Sequence, residues 1–131
     1  MHRILQPDGW AAPRGYSNGI AAAGRFVFVS GQVGWNAQCA FETDDLVQQI
    51  RIALEHVVAV LAVGGARPEH VTSLTWYFTD KAEYVSRSKE VGEVYRAVMG
   101  KHYPSMTAVE VSSMIEPRAK VEIQAIAVVP A

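Results

Sequence analysis

The segment Val121–Val129 constrains the fold of this chain more than any other. Val121, Ile123, Ala125, Ala127 and Val129 recur at the period of two that a β-strand imposes, while Ile126 and Val128 place apolar groups on the opposite face. A strand that is apolar on both sides belongs in a sheet covered on both sides. The remaining sequence must therefore supply cover for one face, and something else must cover the other.

The rest of the chain alternates between strand and helix patterns. Gly19-Ile20-Ala21-Ala22 and Phe26-Val27-Phe28-Val29-Ser30 spell two short strands joined by a turn at Ala23-Gly24-Arg25, a hairpin pattern. Thr43 is placed to cap a helix whose first turn carries Asp44 and Asp45, acids that favour the positive end of the helix dipole. Leu46, Ile50, Ala53, Val57 and Leu61 then recur at helical spacing until Gly64-Gly65. Val71–Thr79, rich in β-branched and aromatic residues, predicts a strand with Leu74, Trp76 and Phe78 on one face and Val71, Ser73, Thr75 and Tyr77 on the other. Asp80 and Glu83 open a second helix in the manner of a capping box; Tyr84, Val91, Tyr95 and Val98 continue it, and Gly100 with Pro104 stops it. Two strands follow, Met106–Val111 and Val121–Val129, linked by a turn around Pro117.

This order, β-β-α-β-α-β-β, predicts an α+β fold with a mixed sheet and a single domain over residues 1–131. Right-handed crossovers put both helices on one sheet face. Self-association is the economical way to bury the other.

Charge and composition narrow the function. Charged residues make up 19% of the 131, fewer than the roughly 25% of an average soluble domain, which agrees with surface hidden in an oligomer. A net charge of -1 leaves no electrostatic footprint for nucleic acid or an anionic membrane. The start, Met1 to Pro7, has no long apolar run, and the apolar stretches elsewhere fall short of the roughly 20 residues that cross a bilayer. Cys39 is the single cysteine, which excludes an internal disulfide and fits a reducing, cytoplasmic setting; no His or base stands near it at a telling spacing. With His2, His56, His70 and His102 scattered, the sequence predicts no metal site and no cofactor.

Four segments together resemble the Rid/YjgF family, whose best-known members are enamine and imine deaminases. Gly15-Tyr16-Ser17 is similar to that family's Gly-Pro-Tyr-Ser, and Val29-Ser30-Gly31-Gln32 to its Ser-Gly-Gln motif. Val91-Gly92-Glu93-Val94-Tyr95 resembles Val-Asn-Glu-Val-Tyr, and Val121-Glu122-Ile123-Gln124-Ala125-Ile126-Ala127 resembles Val-Glu-Ile-Glu-Ala-Ile-Ala. The order and spacing of the segments are more specific than any one of them. The resemblance implies a chorismate-mutase-like fold, a homotrimer whose sheets form a central barrel, and small-molecule clefts between subunits.

It also implies roles for individual residues. Hydrolysis of a C=N bond needs an activated water, a hold on the substrate and a proton for departing ammonia. By resemblance, Glu122 positions or activates the water, Ser30 and Gly31 hold the ligand through their backbone, and Tyr16 closes the cleft and takes part in proton transfer. Each also has a plainer reading, Glu122 as a solvated strand residue and Tyr16 as packing.

Three departures stand out. Pro104-Ser105-Met106-Thr107 replaces the Pro-Ala-Arg-Ser of deaminating members, so that a thioether stands where a guanidinium would grip a carboxylate in a bidentate pair. Gly92 replaces an asparagine, and Trp35 lies in a Gly34-Trp35-Asn36 loop where a proline-containing stretch is usual. Met106, Gly92 and Trp35 thus suggest a more apolar cleft, with Arg14 and Arg118 as the nearest substitutes for the lost cation. Two functions remain open: a divergent enamine or imine deaminase whose substrate has a distant, vinylogous or masked carboxylate, with 2-aminomuconate, on which related members act, as the leading substrate class, or a non-catalytic binding or regulatory trimer. An RNA-cleaving role is disfavoured by the acidic balance and the lack of a Lys/Arg-rich stretch.

Overall fold

Helix α1 (Leu46–Val63) forms along the stripe of Leu46, Ile50, Ala53, Leu54, Val57 and Leu61, all buried. The structure is a computed structural model that describes residues 2–131, so Met1 at the head of the chain lies outside the described residues. The helix is capped by Asp45 rather than Thr43: the Gln48 amide donates to Asp45 Oδ2 at 3.0 Å, and Thr43 Oγ1 accepts from the Asp45 amide at 3.1 Å. A carboxylate is the stronger acceptor for an orphan amide, so the helix starts later and both acids precede its first turn. By length and composition alone α1 could cross a membrane, contrary to the reading of its apolar stretch as too short. It is the core helix: full burial of each Leu or Ile is worth roughly 1.5–3 kcal/mol, and Ile50, Leu54 and Leu61 have no exposed surface.

Gln49 is the exception on the buried face. Its Nε2 donates to the carbonyls of Thr43 and Arg118, each at 3.0 Å, and its Oε1 accepts from the Lys120 amide at 2.8 Å. A buried amide satisfied this fully ties α1 to the lead-in of the last strand. Gly34 makes room for it, since a Cβ there would lie 2.5 Å from Gln49 Cβ.

The main sheet contains β3 (Arg25–Val33), β4 (Val71–Phe78), β5 (Ser105–Glu110) and β6 (Val121–Val129), in the order β3-β6-β4-β5. Strand β6 runs antiparallel to both of its neighbours, and β5 pairs in parallel with β4. A 3-10 turn, Pro68–His70, leads into β4. Val71 joins Leu74, Trp76 and Phe78 in the core, although simple alternation puts it on the other face. A register shift between Val71 and Ser73 reverses the alternation at that point.

The N-terminal region departs from the predicted hairpin. Strand β2 (Gly19–Ala21) pairs with β1 (Arg3–Leu5), a strand too short to show alternation in the sequence, and not with β3. Gly24, at φ +148°, explains the change: a Cβ there would stand 2.1 Å from the Val129 carbonyl oxygen, so the link before β3 lies against the end of β6 instead of closing a two-strand turn.

The predicted second helix is two, α2 (Lys81–Ser86) and α3 (Ser88–Met99), broken at Arg87. Asp80 does cap α2, accepting from the Glu83 amide at 3.0 Å. Residues Val91, Val94, Tyr95 and Met99 of α3 join α1 in one core with the sheet's inner side. On the outer side Phe26 and Phe28 are 57% and 69% exposed, a paired aromatic patch that no element of this chain covers.

Candidate functional site

Two clusters of chemically capable residues lie on opposite faces of the sheet. The first is a half-open cavity of about 460 Å³ between α3 and the β4–β5 side of the sheet, where β5 forms the edge. Its walls are aromatic. Trp76 and Tyr95 stand 6.3 Å apart between ring centres, Tyr95 and Tyr103 stack at 5.5 Å, and Tyr84 completes the wall against Phe78. Met106 and Ala108, on the inner side of β5, face the same space.

Tyr16 reaches this cavity because its neighbour is pinned. The Ser17 amide donates to the Pro104 carbonyl at 3.0 Å, and the Ser17 hydroxyl donates to the Tyr103 carbonyl. The segment thus runs beside the start of β5, as a bridge between Ser17 and Ser105 records, and holds the half-exposed Tyr16 at the rim. Arg14 and Gly15 lie on the same rim.

Burial raises the Tyr95 phenol well above its ordinary range, and the neighbouring Tyr103 adds to the effect; burial alone raises Tyr84. Both therefore hold their protons more tightly than a free phenol, and both stand in the cavity wall. The Tyr95 hydroxyl donates to the His102 carbonyl, and the His102 ring bonds the Val71 carbonyl at 2.7 Å, which fixes the cavity floor to β4. The buried Trp76 Nε1–H has no partner among the described residues.

The second cluster surrounds Glu122 on the outer side of β6. Between Val29 and Gln32 the β3–β6 register slips by one residue, making a bulge of Ser30 and Gly31. Gly31 comes so close to Glu122 that a Cβ on it would stand 2.0 Å from Glu122 Oε2. Ser30 is tied to Gln32, whose Nε2 donates to the Ser30 carbonyl at 3.1 Å. The Glu122 carboxylate has no hydrogen-bond partner among the described residues, which leaves both oxygens free for a ligand or water.

The residues singled out from sequence therefore divide. Tyr16, Gly92, Met106 and Arg14 line the inner cavity, while Glu122, Ser30 and Gly31 share the outer face. Trp35 joins neither, for it packs on Phe41 at 5.7 Å between ring centres and its carbonyl bonds His56. Arg118 is also elsewhere, paired with Asp44 at 2.9 Å and lying over the Phe41 ring. The sequence reading missed Arg96, Tyr103 and Trp76 as cavity residues. A clue to Arg96 was present in its spacing of four from Gly92.

Comparison with known proteins decides the family. The model described as Endoribonuclease L-PSP, the Rid/YjgF family, matches residues 8–129. The chain belongs to the Rid/YjgF family. Among its Rid relatives is TdcF of Escherichia coli strain K12, named as a reactive intermediate deaminase, 31% identical over 108 residues that cover 80% of each chain. Among solved structures, Escherichia coli TdcF with bound serine is 28% identical, with a TM-score of 0.69 over 97% of this chain and 98% of that one. A Rid family protein of Yersinia pestis, YyfB, is 24% identical with a TM-score of 0.86 over 98% of both chains, and shows the shared Rid fold.

Proposed function

We propose that this Rid protein hydrolyses an enamine or imine and releases ammonia, in a cleft completed by a second copy of the chain. The observation that carries this reading is the separation of the two clusters. Glu122, Ser30 and Gly31 lie on the outer face, and Tyr16 and Met106 lie at the inner cavity beside the β5 edge, so one copy cannot present both to one ligand. The outer patch of Phe26 and Phe28 gives a second copy an apolar surface to cover. A homotrimer, whose three outer faces enclose a common barrel, satisfies both needs.

In this cleft the chemistry is an addition followed by an elimination. Glu122 takes a proton from a water as its oxygen adds to the imine carbon, and the C=N electrons pass to nitrogen. The nitrogen takes a proton as it receives those electrons, giving a carbinolamine; Glu122 then passes its proton to the nitrogen, the C–N bond breaks to release ammonia, and the hydroxyl gives its proton back to Glu122 as the carbonyl forms. The backbone at Ser30 and Gly31 holds the substrate, and Tyr16 at the rim supplies or relays the proton. With Met106 in place of a strand guanidinium, the substrate carries a second carboxylate away from the reacting carbon, as 2-aminomuconate does in addition to the one on that carbon. The exposed Cys39 goes with a reducing, cytoplasmic setting.

Ammonia release from 2-aminomuconate should exceed the buffer rate, and Glu122→Gln should remove at least about a hundredfold of the gain. A wild-type rate equal to buffer would end this reading.

Met106 and Gly92 together favour one alternative, a trimer that binds a small molecule without turning it over. If Met106→Arg gains 2-aminoacrylate deamination while the wild type acts on no imine tested, the scaffold has kept the fold and changed its ligand.

A further inference from the structure

The cavity lacks a cation on β5 yet carries two exposed ones at its edge. Arg14 and Arg96 both line it, and no acidic residue does. Arg67, Arg87 and Arg118 each sit on a carboxylate, whereas Arg3, Arg25 and Arg51, away from the cavity, form no such ion pair among the described residues. Among the described residues neither Arg14 nor Arg96 has such a partner.

Gly92 leaves room for the exposed Arg96 side chain at the cavity's edge. The two are one helical turn apart on α3, so a side chain at 92 and the side chain of Arg96 compete for one patch of helix surface. A Cβ on Gly92 would lie 3.3 Å from Arg96 Nη1. The guanidinium thus lies across the ground that any larger residue at 92 would claim. An arginine end group with nothing to neutralise it, beside a wall of Trp76, Tyr95, Tyr103 and Met106, is a site for an anion that also has a flat face. The volume of about 460 Å³ falls within the roughly 300–1,000 Å³ of pockets that enclose drug-sized molecules, more than a three-carbon acid fills.

We propose that Arg96, admitted by the missing side chain at Gly92, is the anion anchor of this cavity, and that the ligand is an aromatic or conjugated carboxylate whose flat body lies against Trp76, Tyr95 and Tyr103. The anchor has moved from the strand to the helix, which places the carboxylate near α3 and leaves the far end of the conjugated body for the reacting carbon. This inference rests on the cleft described under Proposed function and names its ligand class; Arg14 contributes the second positive charge at the rim.

Unreactive acids test the anchor without turnover. Titration calorimetry on the intact wild-type protein should detect trans-cinnamate binding, with acetate and inorganic phosphate at least about tenfold weaker and the neutral cinnamamide weaker by a similar factor. Arg96→Met should weaken cinnamate about tenfold or more, Arg96→Lys less, since an ammonium keeps the charge and loses the fork. Gly92→Asn, which displaces the guanidinium while leaving Arg96 in the sequence, should weaken it as well; circular dichroism checks that each variant is folded. Cinnamate binding within twofold of wild type in folded Arg96→Met, acetate binding as tightly as cinnamate, or no binding of cinnamate at 10 mM (about tenfold above the roughly 1 mM upper end of ordinary KM values) overturns the proposal. Arg96-dependent cinnamate binding without any ammonia release supports the anchor and sinks the deaminase. Full turnover of 2-aminomuconate by Arg96→Met does the reverse.

Discussion

Gly31 and Glu122 compete for a single volume on the outer face of β6, and the glycine yields it. A methyl group at residue 31 would meet Glu122 Oε2 at 2.0 Å and its Cγ at 2.8 Å, so the carboxylate would have to swing away. Gly31→Ala should therefore lower ammonia release by about tenfold or more while the melting temperature changes little, because Gly31 lies outside the left-handed region and alanine suits its backbone. An unaltered rate would mean that the position of the carboxylate is unimportant. The nearness of Ser30-Gly31 to Glu122 could not be read from residues 91 positions apart, although both segments were legible as motifs. Gly92 shows the same limit. Its departure from the family pattern was visible, and its consequence, the placement of Arg96, needed the geometry of α3.

At the scale of elements, Arg87 decides how the region after β4 is built. Its guanidinium bonds Asp45 Oδ1 at 2.7 Å and Glu90 Oε2 at 3.0 Å, and stands 3.7 Å from Glu83, so the break between α2 and α3 is fastened to the cap of α1. Hydrogen bonding to Arg87 is the largest cause holding both the Asp45 and the Glu90 carboxyls below their ordinary values. Groups whose folded pKa is depressed contribute stability that is complete above their unfolded pKa, near 4, and is lost as pH falls through the folded value. The advantage of wild type over Arg87→Met in urea midpoint should thus be largest near pH 7, shrink below pH 4 and vanish towards pH 2. It should also weaken in high salt, because these side chains are partly exposed. A constant difference across that range would assign the effect of Arg87 to packing. The helical period in 81–99 was plain in the sequence, whereas the break was not, because it is imposed by contacts with a residue about 40 positions away.

The whole molecule presents Phe26 and Phe28 outward beside an apolar last strand. Under the proposed trimer, Phe28→Glu buries a charge in every contact and should convert an assembly of three 14.3 kDa chains into monomers in sedimentation, with ammonia release lost and far-ultraviolet dichroism retained. Trimers persisting in Phe28→Glu would place the interface elsewhere. By itself the sequence determined the alternation of strand and helix, the buried stripe of α1 and the two-sided apolar character of β6, because period and polarity are local properties. It also gave the motifs that mark the Rid family. Only the tertiary structure decided that β2 pairs with β1, that Trp35 and Arg118 stand apart from the cavity, and that Glu122 and Met106 lie on opposite faces. The physical reason is common to all of these: they depend on which distant surfaces meet, and close approaches such as Gly24 to Val129, Gly31 to Glu122 and Gly34 to Gln49 exist only once the chain has packed.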